Sequence, residues 1–382
     1  ANSLSWEQLT EIEVNLPSLP GIMIDEGKRR SYPLNTATAH TVGYVGRVSE
    51  KEMTGDPILS LPGFQIGKTG IEKQYEKALR GFVGRASEEV TAAGRRVREL
   101  SRQKGEAGKD IQMTLDVELQ IFTQNRLAQE RSASAVIMDV HSGAVYTLAS
   151  SPSFDPNIFT QSVPQDIWDE WMNDDARPLT NKAISGQYPP GSTFKMVTAL
   201  AALEAGISPS FTTFCPGHMD LGDHRFHCWK RGGHGYASYE KALQQSCDVF
   251  FYELSKEVGI EKIAAMSRRL GLGSTLGIDI PGEKSGLIPD KNWKRGQYNK
   301  DWQVGETIIA SIGQGYIQTT PLQLATMTAR MVNGGYNVSP YIVQSIDGVV
   351  KQAPRPESLD LDRKLIELMK QGMFSVVNTL QG

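Results

Sequence analysis

The apolar positions change character along this chain. Up to about residue 110 they come in short runs, such as Thr41-Val-Gly-Tyr-Val45, scattered among Gly, Glu, Lys and Arg. Runs of that length suit short strands between turns, and few long helical patterns occur there. Lys104-Gly-Glu-Ala-Gly-Lys-Asp110 is a turn-rich join. Ile111-Gln-Met-Thr-Leu115 then reads as a strand. Asp116 is placed to cap a helix running to about Arg131, with Glu118 in its first turn. Ser134–Val140 and Ala144–Ala149 read as two strands joined by a hairpin loop at His141-Ser142-Gly143. From about residue 190 helical patterning predominates. Phe194, Met196, Val197 and the run Ala199–Leu203 make one helix apolar almost all round, which belongs in a core. Thr320-Pro321 opens another, as cap and first position, and Gly334-Gly335 closes it. The pattern predicts an irregular, β-containing domain over 1–110 and a mixed domain over 111–382, without internal repeats.

Composition narrows the class. With 382 residues the chain has room for two domains. Its 39% hydrophobic and 22% charged residues are those of an ordinary folded protein. A net charge of -3 supplies no global basic field for nucleic acid, and Arg95-Arg96-Val97-Arg98 reads as a local solvated face. No apolar run is long enough to span a bilayer. Ala1–Trp6 carries no signal peptide, so either the protein is soluble where it is made or a targeting segment has been removed.

The candidate chemistry starts at Ser192-Thr-Phe-Lys195, behind Tyr188-Pro-Pro-Gly191. Prolines and glycine end any earlier helix, so Ser192 is expected to open a new one, with Lys195 one turn on along the same face. A serine hydroxyl needs a base to become a good nucleophile, and a lysine can serve where its surroundings favour the amine. The same residues also suit an ordinary N-cap. A second element favours catalysis: Ser246-Cys247-Asp248, followed by apolar Val249-Phe-Phe-Tyr252. Ser246 is expected to relay a proton between Lys195 and a leaving amine, and Asp248 to position Lys195 or the substrate. An ionised carboxylate beside Lys195 favours the charged amine. Asp248 is therefore expected either to point away from it or to be offset by another cation.

At these residues the chain resembles a known family. Gln187–Lys195, Ser246-Cys-Asp248 and Gly313-Gln-Gly-Tyr-Ile-Gln-Thr-Thr-Pro-Leu-Gln323 look like the transpeptidase domain of the class B penicillin-binding proteins. The Asp at 248, Arg30-Ser-Tyr-Pro33, His40–Gly46, Gly67–Glu72 and Leu79-Arg-Gly81 are most similar to the penicillin-binding protein 2 group of the cell-elongation machinery. The resemblance implies an α/β (α+β) fold: a penicillin-binding, serine β-lactamase-like domain behind a β-rich pedestal. It further implies a peptidoglycan D,D-transpeptidase without a catalytic cofactor. Ser192 would attack the D-Ala-D-Ala carbonyl of a stem peptide, using its own backbone N–H as one oxyanion donor, and β-lactams would acylate it. Implied partners are a membrane glycosyltransferase and other elongation-complex proteins, reached through the pedestal. The implied location is the periplasmic face of the bacterial inner membrane, held by an N-terminal anchor.

The family's third motif, Lys-Thr/Ser-Gly, is expected beyond Gly382. Lys68-Thr-Gly70 falls in the pedestal, and Lys284-Ser-Gly286 lies in a turn-rich loop. Gly63-Phe-Gln-Ile-Gly67-Lys68-Thr69 is one residue short of a phosphate loop and follows no apolar strand. Three other readings compete with the transpeptidase: a β-lactam sensor, a catalytically silent scaffold and a β-lactamase. The pedestal motifs oppose the sensor, the intact Ser192, Lys195 and Ser246 oppose the scaffold, and no deacylating base is found for a β-lactamase.

All 3 cysteines, Cys215, Cys228 and Cys247, fall in one Gly-rich stretch with His218, His224, His227 and His234. Cys215, Cys228, His234 and Cys247 offer a Cys3His set for structural zinc, although short Cys-x-x-Cys pairs are missing. A Cys215–Cys228 disulfide and unpaired buried thiols are the alternatives. Cys247, between Ser246 and Asp248, is expected to point away from the catalytic face.

Overall fold

The structure is a computed structural model and describes residues 4–19, 29–61, 63–92, 96–161, 163–352 and 355–380. Residues 1–3 of the Ala1–Trp6 stretch, Arg95 and the chain end at Gly382 lie outside them. The N-terminal part is built of short pieces. Val45–Arg47 pairs antiparallel with Gln65–Gly67, and Arg85–Val90 with Arg96–Gln103. Arg98 and Arg102 are engaged by Glu89 and Glu99 on that exposed hairpin, as a solvated charged face requires.

Thr41–Val45 is not a strand. Ala39–Val42 forms a helical turn and pairing starts only at Val45. Gly43 takes φ +81 between them, and a Cβ there would stand 2.0 Å from the Thr69 carbonyl oxygen. The apolar run is thus broken by a close backbone approach that only glycine permits.

The antiparallel strands Ala133–Met138 and Val145–Ser151 form the expected hairpin, shifted by a residue or two. Asp139 accepts from the His141 and Ser142 N–H groups, and Gly143 turns the chain at φ +82. Ile111–Met113 joins a three-stranded antiparallel sheet with Val343–Ile346 and Val349–Val350. The helix capped by Asp116 ends at Leu127, earlier than the predicted Arg131. Its Gln120 and Gln124 amides donate to the Leu148 and Ser150 carbonyls, fastening it to the hairpin.

Pedestal and sheet share apolar contacts. Ile71 is buried in the same cluster as Val145, Leu148, Ile184 and Ile342. A larger core holds the helices Lys195–Glu204, Asp248–Val258 and Ile260–Arg269, which pack on one another, while Val304–Ala310 packs on Asp248–Val258. Val249, Phe250, Phe251 and Tyr252 are all buried there. Pro321–Val332 has the predicted Thr320 cap, completed by Gln323 into a capping box. Among the described residues no helix is long and apolar enough to cross a membrane.

Candidate active site and cysteine cluster

The turn Gly191–Phe194 is 3-10 helical and the α-helix proper begins at Lys195. Ser192 therefore sits in a tight turn before the helix, not in its first α-turn as expected. Gly313 supports that turn from beneath: its carbonyl accepts from Gly191 N–H at 3.0 Å. A side chain at 313 would meet the Gly191 oxygen at 2.4 Å, so this support requires glycine at φ +71. Phe194 and Val197 are fully buried and Lys195 is 1% exposed. The helix is anchored in the core with its ammonium facing the second motif.

Ser192, Lys195, Ser246 and Asp248 all converge. Lys195 Nζ donates to Ser246 Oγ at 2.8 Å, to the Ser246 carbonyl at 3.0 Å and to Asp248 Oδ1 at 2.6 Å. Those three acceptors use the three protons an ammonium has. Ser246 Oγ in turn lies 2.8 Å from Ser192 Oγ. The lysine thus reaches Ser192 through Ser246 rather than by direct contact between helix neighbours. Asp248 does not point away from Lys195, contrary to the first of the two expectations. It forms the buried ion pair, and its second oxygen accepts from Trp229 N–H at 2.9 Å. A carboxylate with both oxygens engaged holds the ammonium in place.

Ser246 has φ +52, an uncommon conformation for a residue with a side chain. It ends the helix Tyr239–Gln244 and turns the chain into Asp248–Val258, whose N-cap is Cys247. The left-handed step sends Ser246 Oγ to the relay while Cys247 enters the interior, so Cys247 points away from Ser192 as expected.

One neighbour went unnoticed in the sequence. Trp229 holds Asp248 through its backbone, and its indole N–H donates to the Gln245 carbonyl at 3.1 Å and the Ser246 carbonyl at 3.0 Å. No pattern marks it: a lone Trp after a cysteine in a Gly-rich loop has no periodicity. Lys68 is instead paired with Glu52. Lys284 N–H bonds Ile184 O, and Leu287 pairs with Gln318. Neither Lys-Thr/Ser-Gly triplet contributes a hydrogen bond to the relay among the described residues.

Behind Ser246, the ligand atoms of Cys215, Cys228, His234 and Cys247 lie within 4.8 Å of one another, all buried. Cys215 and His234 are brought together by pairing of Thr213–Cys215 with Gly235–Ala237, and Cys247 by the helix start. All three cysteines are free, so the disulfide alternative is not realised. His234 Nδ1 stands 3.6 Å from Cys215 Sγ and 3.5 Å from Cys228 Sγ. A tetrahedral zinc ion with sulfur at ~2.3 Å and nitrogen at ~2.0 Å has S···N edges of about 3.5 Å, which these two separations match, and the donor types are those of a structural zinc site. A hydrogen bond from Cys247 holds the Cys228 thiol below the usual thiol range, whereas the same contact and burial push Cys247 up.

Comparison with known proteins adds to this geometry. Residues 133–382 match the family model of the penicillin binding protein transpeptidase domain, and residues 1–113 that of the penicillin-binding protein dimerisation domain. The chain is 36% identical over 393 aligned positions to the peptidoglycan D,D-transpeptidase MrdA of Escherichia coli, covering 100% of this chain and 62% of that protein. It is 39% identical to its counterpart in Acinetobacter baumannii, over 88% of this chain and 51% of that one. The chain thus spans about three-fifths or less of the length of these relatives. Among solved structures, Pseudomonas aeruginosa PBP2 in complex with WCK 5153 superposes with TM-score 0.82 at 38% identity, over 93% of this chain and 75% of that one. The Helicobacter pylori PBP2–MreC complex gives 0.90 at 31%, over 99% and 70%.

Proposed function

This chain belongs to the class B penicillin-binding proteins and is most like penicillin-binding protein 2, and from that premise we propose that it carries the acyl-transfer site of a peptidoglycan D,D-transpeptidase. One observation bears most of the weight: the unbroken hydrogen-bonded chain Ser192 Oγ, Ser246 Oγ, Lys195 Nζ, Asp248. Ser192 Oγ attacks the carbonyl of a terminal D-Ala-D-Ala. Its proton passes to Ser246 Oγ as Ser246 gives its own to the amine form of Lys195. The proton returns through Ser246 to the leaving D-alanine nitrogen, leaving a Ser192 ester. The amine of a second stem peptide resolves that ester into the crosslink, with the same relay accepting its proton. Ser192 N–H serves as one oxyanion donor. Intact-mass spectrometry of the full-length protein with a penicillin is expected to show one adduct, mapping to the peptide that contains Ser192. An adduct mapping elsewhere overturns the assignment. Lys68→Ala, a pedestal change, is expected to leave labelling unaltered.

Asp248 acts as a positioning residue, since its carboxylate never meets Ser192. Asp248→Asn keeps an oxygen for Lys195 but sets an NH2 group against the Trp229 N–H. Its acylation rate is expected to fall by no more than roughly tenfold, the scale of one such hydrogen bond. Complete loss in a labelling time course would show that the charge itself is required.

The cysteine–histidine cluster is read as a structural zinc site held by Cys215, Cys228, His234 and Cys247. A bound zinc there would supply a closed tetrahedral crosslink and no chemistry at Ser192. The PBP2–MreC complex of Helicobacter pylori and the peptidoglycan synthase complex among the structural neighbours support a place for this chain in an assembly that makes cell wall outside the inner membrane. There it would work beside a membrane glycosyltransferase and other elongation proteins bound through residues 1–110. The second domain of this reading is 111–382.

A further inference from the structure

The acyl-transfer reading leaves one strained element unexplained. Ser246 must hold a left-handed backbone for its Oγ to bridge Lys195 and Ser192, and such a conformation persists only where its surroundings enforce it. Two donors grip the Ser246 carbonyl, Lys195 Nζ and the Trp229 indole N–H, each at 3.0 Å. The two are not equivalent. The lysine gives and takes protons during turnover, so its hold on that carbonyl changes through the cycle. The indole N–H is a donor only, and it neither titrates nor moves with the reacting protons. The same indole N–H also bridges to the Gln245 carbonyl, so it spans the peptide that leads into Ser246. Trp229 is 64% exposed, although residues of this size are usually well buried. It stands at a cleft of about 650 Å³ lined by Lys230, His234, Lys241, Gln244, Gln245 and Ser246. The ring meets His234 edge-on at 5.6 Å, a contact that a phenyl ring would also make, so packing does not account for the indole N–H at this position.

Resting on the acyl-transfer reading, we propose that Trp229 is a positioning residue for the reaction: its indole N–H fixes the Ser246 carbonyl, and with it the backbone that aims Ser246 Oγ at Ser192. Trp229 does not itself touch the reacting atoms. Its action is on the rate of proton relay, not on the affinity of the site.

The test is saturation kinetics of penicillin acylation in the full-length protein, separating the first-order acylation constant from the preceding binding constant. Trp229→Phe keeps an aromatic ring but removes the donor. It is expected to slow acylation about tenfold, the effect of one lost hydrogen bond at the reacting centre. The binding constant and melting temperature stay near wild type. A packing role predicts the reverse, with Phe restoring nearly full rate and only Trp229→Ala impaired. Acylation by the Phe variant at the wild-type rate therefore overturns the proposal. If Phe lowers the melting temperature, 3-benzothienylalanine placed at 229 replaces the indole N–H by sulfur at nearly constant shape. A wild-type rate with that residue also overturns the proposal, and a tenfold loss sustains it. Ser192→Ala runs alongside: persistent labelling of that variant sinks the acyl-transfer reading itself, whereas a normal rate in the Phe variant with unlabelled Ser192→Ala sinks only the role of Trp229.

Discussion

Ser192→Ala is expected to abolish penicillin labelling of the full-length protein, and Ser246→Ala to slow it by about 10²–10⁴-fold, the usual contribution of a positioned acid–base group. The first result follows from Ser192 being the hydroxyl at the end of the chain of hydrogen bonds, on a turn braced by Gly313. The second follows from the way Lys195 spends its protons. Its three donors point at Ser246 Oγ, Ser246 O and Asp248 Oδ1. With Ser246 reduced to alanine the Oγ link to Ser192 is gone and the base is left without its bridge. Fluorescent-penicillin time courses give both constants. Full labelling of Ser192→Ala places the nucleophile elsewhere. A Ser246→Ala rate within about threefold of wild type, well short of the general acid–base range, means that Lys195 serves Ser192 directly.

Loss of the proposed metal site is expected to be the second large effect. Protein purified without chelators is expected to hold about one zinc per chain by elemental analysis. Cys228→Ser or His234→Ala removes a donor from a buried set and leaves the remaining thiols unpaired in the interior. Between Cys215 and the helix Tyr239–Gln244 the regular structure is limited to two-stranded pieces of three or four residues, with glycines at 217, 222, 232, 233 and 235. A tetrahedral crosslink offsets much of the backbone entropy of such a segment. Losing about 3 kcal/mol of that stabilisation lowers the melting temperature by roughly 4 °C in a protein of this size. Acylation weakens too, because Cys247 adjoins Ser246 and Cys228 adjoins Trp229. Less than about a tenth of an equivalent of zinc, or a Cys215–Cys228 disulfide in a non-reducing peptide map, rejects the site.

Elements that depend on neighbours along the chain were legible from residue order. The Thr320-Pro321 start, the Asp116 cap, the hairpin at His141-Ser142-Gly143 and the buried helix after Phe194 are local, and each formed close to where its residues indicated. Residue type and order along the chain also single out Ser192, Lys195, Ser246 and the cysteine–histidine set, which the fold brings into two neighbouring clusters. Local reasoning failed where a distant backbone intervened. Thr41–Val45 lost its strand to the close approach of Thr69, and the turn at Ser192 tightened onto Gly313. Packing between distant segments set the path from Lys195 to Ser192 through Ser246, the facing of Asp248 onto the ammonium and the grip of Trp229 on both Ser246 and Asp248. The physical reason is directional. A hydrogen bond depends on tenths of an ångström and on angle, and these are set by how the helices Lys195–Glu204 and Asp248–Val258 pack across a core. No spacing along the chain encodes that geometry.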